Sequence, residues 1–316
     1  MKKNSKGTLY PYYNGNRLLT MIPELKTIAD CRVEDITNID STNMKVEIWS
    51  TLARKIFSYW KKYDGFIIIH GTDTLAYTAS ALSFALKNID KPVIFTGAQK
   101  PFDDINSDGR NNLINSCLLV QMELAEIGIV FGSKILRGNR STKVSESSLD
   151  AFDSPMVEPL GEISLEPRLK KHIKRRNFGK QLICQSDFNP KVIVITLQPS
   201  LPVTFLRKIL DTGCKGVILK AFGAGNIPND IITFLREAKS SDIPVVVLSQ
   251  CNKGITQMQL YQVGYQVLEA GAIAGRDMTL EAAVTKLMWG LANIKKISEL
   301  KKLFDMNLAG EVTISD

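Results

Sequence analysis

Thr72, Asp73 and Thr74 place two hydroxyls around a carboxylate, directly behind His70-Gly71 and the apolar run Ile67-Ile68-Ile69. Residues of these types can carry out acyl transfer. A threonine oxygen becomes a competent nucleophile, or activates one, when a neighbouring amine takes its proton. A lysine can be that amine when burial or nearby cations lower its pKa. Imidazole is a poorer prospect here. The chain has two histidines, and His172 sits in a basic stretch, so a Ser-His-Asp arrangement would have to use His70. His70 lies inside the strand end and reads as a structural histidine. The structural alternative for the turn is helix capping, in which Asp73 or Thr72 accepts a hydrogen bond from the helix starting at Thr74.

The elements that must position these groups alternate strand and helix from residue 64 onward. Phe66 to His70 is an apolar strand, and the helix after it puts Leu75, Ala79, Leu82 and Leu86 on one face. Val93-Ile94-Phe95 predicts the next strand, ending on Thr96-Gly97-Ala98-Gln99. A helix over about 108–122 and a strand over 127–131 follow. Strands joined by crossovers imply a parallel sheet, and ligands of such sheets bind beyond the carboxyl ends of the strands, where Thr72 and Asp73 lie. Residues 145–190 lack sustained periodicity and carry Pro155, Pro159, Pro167 and Pro190, the mark of irregular structure leading into a linker. A second α/β pattern then begins, with β-rich runs at 192–197, 216–219 and 244–248 and an amphipathic helix over 203–210. The expected fold class is α/β: two α/β domains with mainly parallel sheets. Residues 1–166 form the first domain, 167–190 a basic linker and 191–316 the second domain.

Composition narrows the function classes. A chain of 316 residues, 44% hydrophobic and 23% charged, suits about two globular domains. No apolar run approaches the roughly 20 residues of a membrane span, and the polar start Met1-Lys2-Lys3-Asn4-Ser5-Lys6 has no hydrophobic segment behind it, so a cytoplasmic location without membrane attachment is expected. Cys31, Cys117, Cys184, Cys214 and Cys251 are odd in number and lack a Cys-x-x-Cys pair, which suggests neither a disulfide framework nor a metal site. Much of the net charge of +8 is local: Arg168, Lys170, Lys171, Lys174, Arg175, Arg176 and Lys180 share one segment. Only Phe178 is interleaved there, so the segment reads as a solvated linker and no nucleic-acid partner is expected. Gly223-Ala224-Gly225-Asn226 has a Gly-x-Gly, but Pro228 stands where a dinucleotide fingerprint needs its third glycine.

The stretch Ile69-His70-Gly71-Thr72-Asp73-Thr74-Leu75-Ala76-Tyr77-Thr78 closely resembles the L-asparaginase family, specifically its cytosolic bacterial type I branch. The resemblance continues through Asp40-Ser41-Thr42-Asn43-Met44, Thr96-Gly97-Ala98-Gln99, Ser107-Asp108-Gly109-Arg110, Arg137-Gly138-Asn139-Arg140-Ser141-Thr142-Lys143, Asp150-Ala151-Phe152-Asp153-Ser154-Pro155, Gly223-Ala224-Gly225-Asn226 and Asp277-Met278-Thr279-Leu280-Glu281-Ala282. It implies hydrolysis of asparagine to aspartate and ammonia through a threonyl ester, without metal or organic cofactor. It also assigns roles. Thr72 is the hydroxyl that activates the hydrolytic water or attacking group, Lys143 its proton acceptor, and Asp73 the orienter and binder of the substrate's α-amino group. Ser41, with Asp40 beside it, holds the α-carboxylate, and the Ala98 backbone lies near the side-chain amide. For Lys143 the structural alternative is a surface ion pair.

Tyr10, in Gly7-Thr8-Leu9-Tyr10-Pro11, is the shifted counterpart of the family's lid tyrosine, or else a packing group. Asn226 completes a neighbouring subunit's site, as the resemblance to oligomeric relatives implies, or else serves as a turn residue, and the resemblance carries the expectation of a homodimer or homotetramer. The family's opening strand and its Thr-Gly-Gly-Thr-Ile nucleophile motif have no counterpart in these 316 residues. Met1 to Gly7 is similar to the lid that follows that motif, so the expectation is an N-terminal sheet without its first strand, explained by a start codon upstream of Met1, the favoured reading, or by a natural chain that has lost the strand and its nucleophile. Two further functions compete with an asparaginase: the asparaginase-like subunit of a tRNA-dependent amidotransferase, and an inactive amino-acid-binding relative.

Overall fold

The four apolar residues ahead of the Gly-Thr-Asp-Thr turn form strand β1 (Phe66–Ile69), and Val93–Thr96 forms β2 beside it, in parallel register from Phe66↔Val93 to Ile69↔Thr96. These belong to a computed structural model that describes residues 2–3, 8–177, 179–260 and 262–314. Gly7, Phe178 and most of the Met1–Gly7 lid segment lie outside the described residues. The chain divides into two units, Met1–Ser186 and Asp187–Asp316.

In the first unit, β3 (Ile127–Phe131) continues the parallel set beside β2. The sheet then turns antiparallel through β4 (Lys134–Arg137), β7 (Gly161–Ile163) and β8 (Pro167–Leu169), giving the order β8-β7-β4-β3-β2-β1. Two short strands, β5 (Thr142–Lys143) and β6 (Phe152–Asp153), pair with each other apart from this sheet. Among the described residues β1, opposite β8, is one of the two edges. Its composition suits complete burial, yet Ile69 is 49% exposed, whereas every residue of β2 is buried.

Helix α1 (Val46–Tyr59) buries Trp49, Leu52, Ala53 and Ile56, a spacing of three and four residues. Helix α2 (Leu75–Ala85) differs from its one-faced expectation, since every residue but Tyr77 is buried. Its Ala, Ser and Thr residues admit neighbours closely on several sides. A Cβ placed on Gly138 would stand 3.0 Å from Ala79 Cβ, while Trp49 of α1 donates to Thr78. Helix α3 (Gly109–Val120) connects β2 to β3.

The stretch expected as an irregular region and linker is instead bound to the first unit for most of its length. Gly161 pairs with both Ile135 and Leu169, building a hairpin that its short strands hid from periodicity. Arg176 donates to the carbonyls of Val120 (2.7 Å) and Met122 (3.2 Å), satisfying the C-terminal end of α3. Ala125 and Lys174 are joined through the Lys174 carbonyl, and the Lys174 amide donates to Glu126, itself paired with Arg137. Part of the basic character therefore serves backbone capping, while Arg168, Lys170, Lys171, Lys174, Arg175 and Lys180 stay exposed.

The second unit is a parallel four-stranded sheet in the order β9 (Val192–Thr196), β10 (Gly216–Ala221), β11 (Val245–Ser249), β12 (Ile273–Ala274). Helix α4 (Val203–Leu210) falls where its periodicity predicts, with Leu206 buried. Helices α5 (Ile231–Ser240), α6 (Leu280–Asn293) and α7 (Ile297–Asp305) also belong to this unit, as does a further helix over Gln262–Glu269. Thr279 caps α6 by accepting from the Ala282 amide. All five cysteines are free. Burial pushes the Cys31 thiol up and that of Cys117 up to about 12, which suppresses the reactive thiolate form. No described helix is long and apolar enough to cross a membrane.

Candidate active site

Strand β1 ends at Ile69, and the next five residues turn the chain into α2. Thr72 and Asp73 lie on this turn, which a second segment holds from behind. Asp40 accepts from the backbone amide and the hydroxyl of Thr42, both at 2.9 Å, closing a short 3-10 turn over Ser41–Asn43. Those bonds hold the Asp40 carboxyl below its usual range. The Ser41 carbonyl accepts from the Thr74 hydroxyl at 2.8 Å, tying the two turns together. A Cβ added to Gly71 would stand 2.7 Å from Ser41 Oγ, so only glycine lets the two segments approach this closely.

Lys143 arrives from the opposite direction. The turn Gly138–Arg140 is wholly buried against α2, Ser80 donating to the Gly138 carbonyl. Ser141 donates to the Arg137 carbonyl at 2.6 Å, and pairing of Lys143 with Phe152 fixes the strand. Lys143 Nζ consequently lies 2.9 Å from Thr72 Oγ1 and 2.6 Å from Asp73 Oδ1. The lysine side chain is 20% exposed and that of Asp73 54%. A hydroxyl, an amine and a carboxylate thus meet within hydrogen-bond reach, although the lysine lies some seventy positions further along the chain.

His70 is part of the scaffold. Its Nδ1 lies 2.7 Å from the Gly71 carbonyl and its Nε2 2.9 Å from Thr78 Oγ1, which also accepts from Trp49 Nε1 at 3.0 Å. With Nδ1 carrying the proton, the ring donates to Gly71 and accepts from Thr78 as a neutral group. Burial lowers its pKa, opposed by the Gly71 bond. The unfolded chain, with an ordinary histidine pKa near 6.5, binds a proton that the folded state refuses, so stability falls as pH drops below about 6.5. Urea unfolding midpoints measured across the acid range should fall less steeply for His70→Asn, whose amide can still donate to Gly71.

The remaining candidates are placed separately. Ala98 follows the end of β2, beside the turn, where a Cβ on Gly97 would lie 2.3 Å from the His70 carbonyl. Tyr10 makes no described hydrogen bond to Thr72 or Lys143. It sits in an edge-to-face ladder with Tyr12, which meets Tyr13, which meets Phe102. Asn226 belongs to the second unit, exposed on the turn after β10, its backbone amide and carbonyl both paired with Phe222.

Sequence reasoning gives Asp108, Gln99 and Asn112 no functional role. An aspartate directly before a helix reads as an N-cap, yet this carboxylate makes no bond to its own helix start. It accepts instead from the backbone amides of Gln99 and Lys100.

Fold and site together define a two-unit α/β protein with a threonine–lysine–aspartate cluster at the strand ends of its first sheet. Residues 1–175 match the family described as asparaginase, N-terminal, and residues 191–304 the glutaminase/asparaginase C-terminal domain. L-asparaginase 1 of Escherichia coli (strain K12) is 36% identical, with 100% of this chain and 95% of that protein covered. The solved thermostable L-asparaginase of Thermococcus kodakarensis superposes with a TM-score of 0.90 at 34% identity, covering 99% of this chain and 96% of that one. A glutamyl-tRNA(Gln) amidotransferase subunit of Pyrococcus abyssi is 33% identical over 97% of this chain and 72% of its own. The chain belongs to the asparaginase family, whose L-asparaginases are hydrolases.

Proposed function

We propose that this protein hydrolyses the side-chain amide of L-asparagine to L-aspartate and ammonia. The observation that carries the proposal is the position of Lys143 Nζ against both Thr72 Oγ1 and Asp73 Oδ1. The proton of the attacking threonine passes through Thr72 to Lys143. The oxygen adds to the amide carbon, and the backbone at Ala98 stabilises the oxyanion. Breakdown expels ammonia, which takes the proton back from the lysine, and water then hydrolyses the threonyl ester. Asp73 balances the lysine ammonium during the cycle. More than half exposed, it can also meet the substrate's α-ammonium, while Ser41, on the turn that Asp40 closes, serves the α-carboxylate. Tyr10 serves the lid and Asn226 a neighbouring subunit's site in a homodimer or homotetramer. The protein works in the cytoplasm with no cofactor, and its partner is a small molecule rather than nucleic acid.

The attacking hydroxyl of this scheme belongs to a Thr-Gly-Gly-Thr segment, a motif these 316 residues do not contain. Ammonia release is therefore to be measured with this chain as given and with the same chain preceded by a Thr-Gly-Gly-Thr-Ile strand. The extended chain is expected to turn over L-asparagine. If it is inert, the proposal fails, and turnover by the chain as given would move the nucleophile to Thr72 itself. Similarity to a subunit of an amidotransferase supports a second reading, in which ammonia is handed to a partner protein. Full-rate release of free ammonia without partner or tRNA decides against it. A relative that binds asparagine without turnover is the outcome left if neither releases ammonia.

A further inference from the structure

The turn after β2 is held to a degree that the fold alone does not demand. Both carboxylate oxygens of Asp108, 7% exposed, accept from the Gln99 amide at 3.0 Å, and Oδ1 also accepts from the Lys100 amide at 3.1 Å. Asn112, 2% exposed, donates to the Gly97 carbonyl and to Asp108 Oδ2, both at 3.0 Å, and accepts from the Gly132 amide. The peptide of Ala98 is therefore bracketed by fixed groups on either side.

Gln99 then reaches outward. Its side-chain nitrogen donates to the Ser148 carbonyl at 3.2 Å and to the Ser145 carbonyl at 3.4 Å. Those residues belong to the loop between β5 and β6, which starts immediately after Lys143. Within it, Ser145 Oγ accepts from the amides of Ser147 and Ser148, and the Val144 amide donates to the Ala151 carbonyl at 2.8 Å. At the far end Asp150 accepts from the amide and hydroxyl of Ser133. Residues 144–151 are thus pinned at one end to the β3–β4 turn and at the other to Gln99.

We infer that Gln99, locked in place by Asp108, is a positioning residue that sets the distance between the Ala98 peptide and Lys143. The inference rests on the functional reading above: Ala98 faces the oxyanion and Lys143 accepts the proton. Gln99 touches neither substrate nor reacting atoms. One side-chain amide ties the loop that follows Lys143 to the Ala98 turn, and without it that loop loses its link to the turn, where a shift of an ångström at the neighbouring amine costs about 100-fold in an oriented reaction.

The test uses the full chain in the form that turns over asparagine, with Gln99→Leu and Gln99→Glu. Neither replacement can donate to the two carbonyls. Both variants should lose about 10- to 100-fold in kcat while KM stays within about twofold, the signature of an interaction that matters in the transition state. Hydrogen exchange supplies a readout that does not depend on turnover: the Val144 and Ser145 amides should exchange faster, with α2 and the central strands unchanged. Wild-type kcat, or unaltered exchange at 144 and 145, would overturn the inference. A uniform rise in exchange across the first unit would overturn it too, by showing a general structural role. If the unsubstituted extended chain releases no ammonia, the functional reading falls. The exchange measurement still decides whether Gln99 holds the loop, and unaltered exchange removes the positioning role under any reading.

Discussion

Lys143→Met is expected to lower ammonia release from L-asparagine by about 100- to 10,000-fold in kcat, the usual worth of a positioned proton acceptor. Lys143 Nζ is the group set against the Thr72 hydroxyl, and the turn that delivers it is held from behind by buried packing against α2. The fold should survive. The ion pair with the largely exposed Asp73 contributes at most about 1 kcal/mol after solvent screening. Lys143→Arg sharpens the test. A guanidinium can keep the pairing with Asp73 but does not give up its proton, so charge is restored without activity. Steady-state kinetics on both variants, beside a thermal melt, separates loss of chemistry from loss of structure. Activity retained in Lys143→Met would remove the proton-acceptor role.

The second large effect lies in the other unit and concerns stability. Lys286 and Glu311 form an ion pair in which both side chains are 0% exposed. Lys286 also donates to the Met306 carbonyl, and Glu311 accepts from the amides of Leu308 and Ala309, fastening the 306–313 segment onto α6. Burial pushes Lys286 down from its ordinary value, and the adjoining Glu311 works against that shift. Removing one partner strands the other. Glu311→Leu should cost about 3–5 kcal/mol by leaving an unpaired buried ammonium. The double variant Lys286→Met with Glu311→Leu should recover part of that loss, because the stranded charge is gone while the Met306 carbonyl and the Leu308 and Ala309 amides still lack their partners. Urea denaturation of the three proteins measures it. A single variant as stable as the wild type would contradict the pairing.

Much of the sheet framework is legible because its strands are continuous apolar runs bounded by turn residues. Phe66–Ile69, Ile127–Phe131 and Val192–Thr196 fall where the sequence places them. The hairpin over 161–169 is not legible, since three-residue strands separated by polar residues leave no periodic trace. Helix α1 carries a readable stripe in Trp49, Leu52, Ala53 and Ile56, but it precedes the alternating pattern that begins at residue 64. Helix α2 departs from its amphipathic expectation because tertiary packing encloses it, something composition alone does not specify. At the site, Thr72 and Asp73 announce themselves by residue type at a strand end. The approach of Lys143 comes only through family resemblance, as no local pattern links it to a turn so distant in sequence. Asp108 shows the limit of local rules. Its helix-start position predicts a cap, but the packed turn at Gln99 and Lys100 offers its carboxylate better partners.

The central claim is that Thr72 and Lys143 act as one proton-handling unit in asparagine hydrolysis. A double-mutant cycle tests it most directly: ammonia release from L-asparagine by the extended chain, by Thr72→Val, by Lys143→Met and by the two combined. Groups that work as a unit are strongly non-additive, so the combined variant should be no slower than the worse of the two single variants. Losses that multiply in the combined variant, or wild-type turnover in Thr72→Val, would contradict the account.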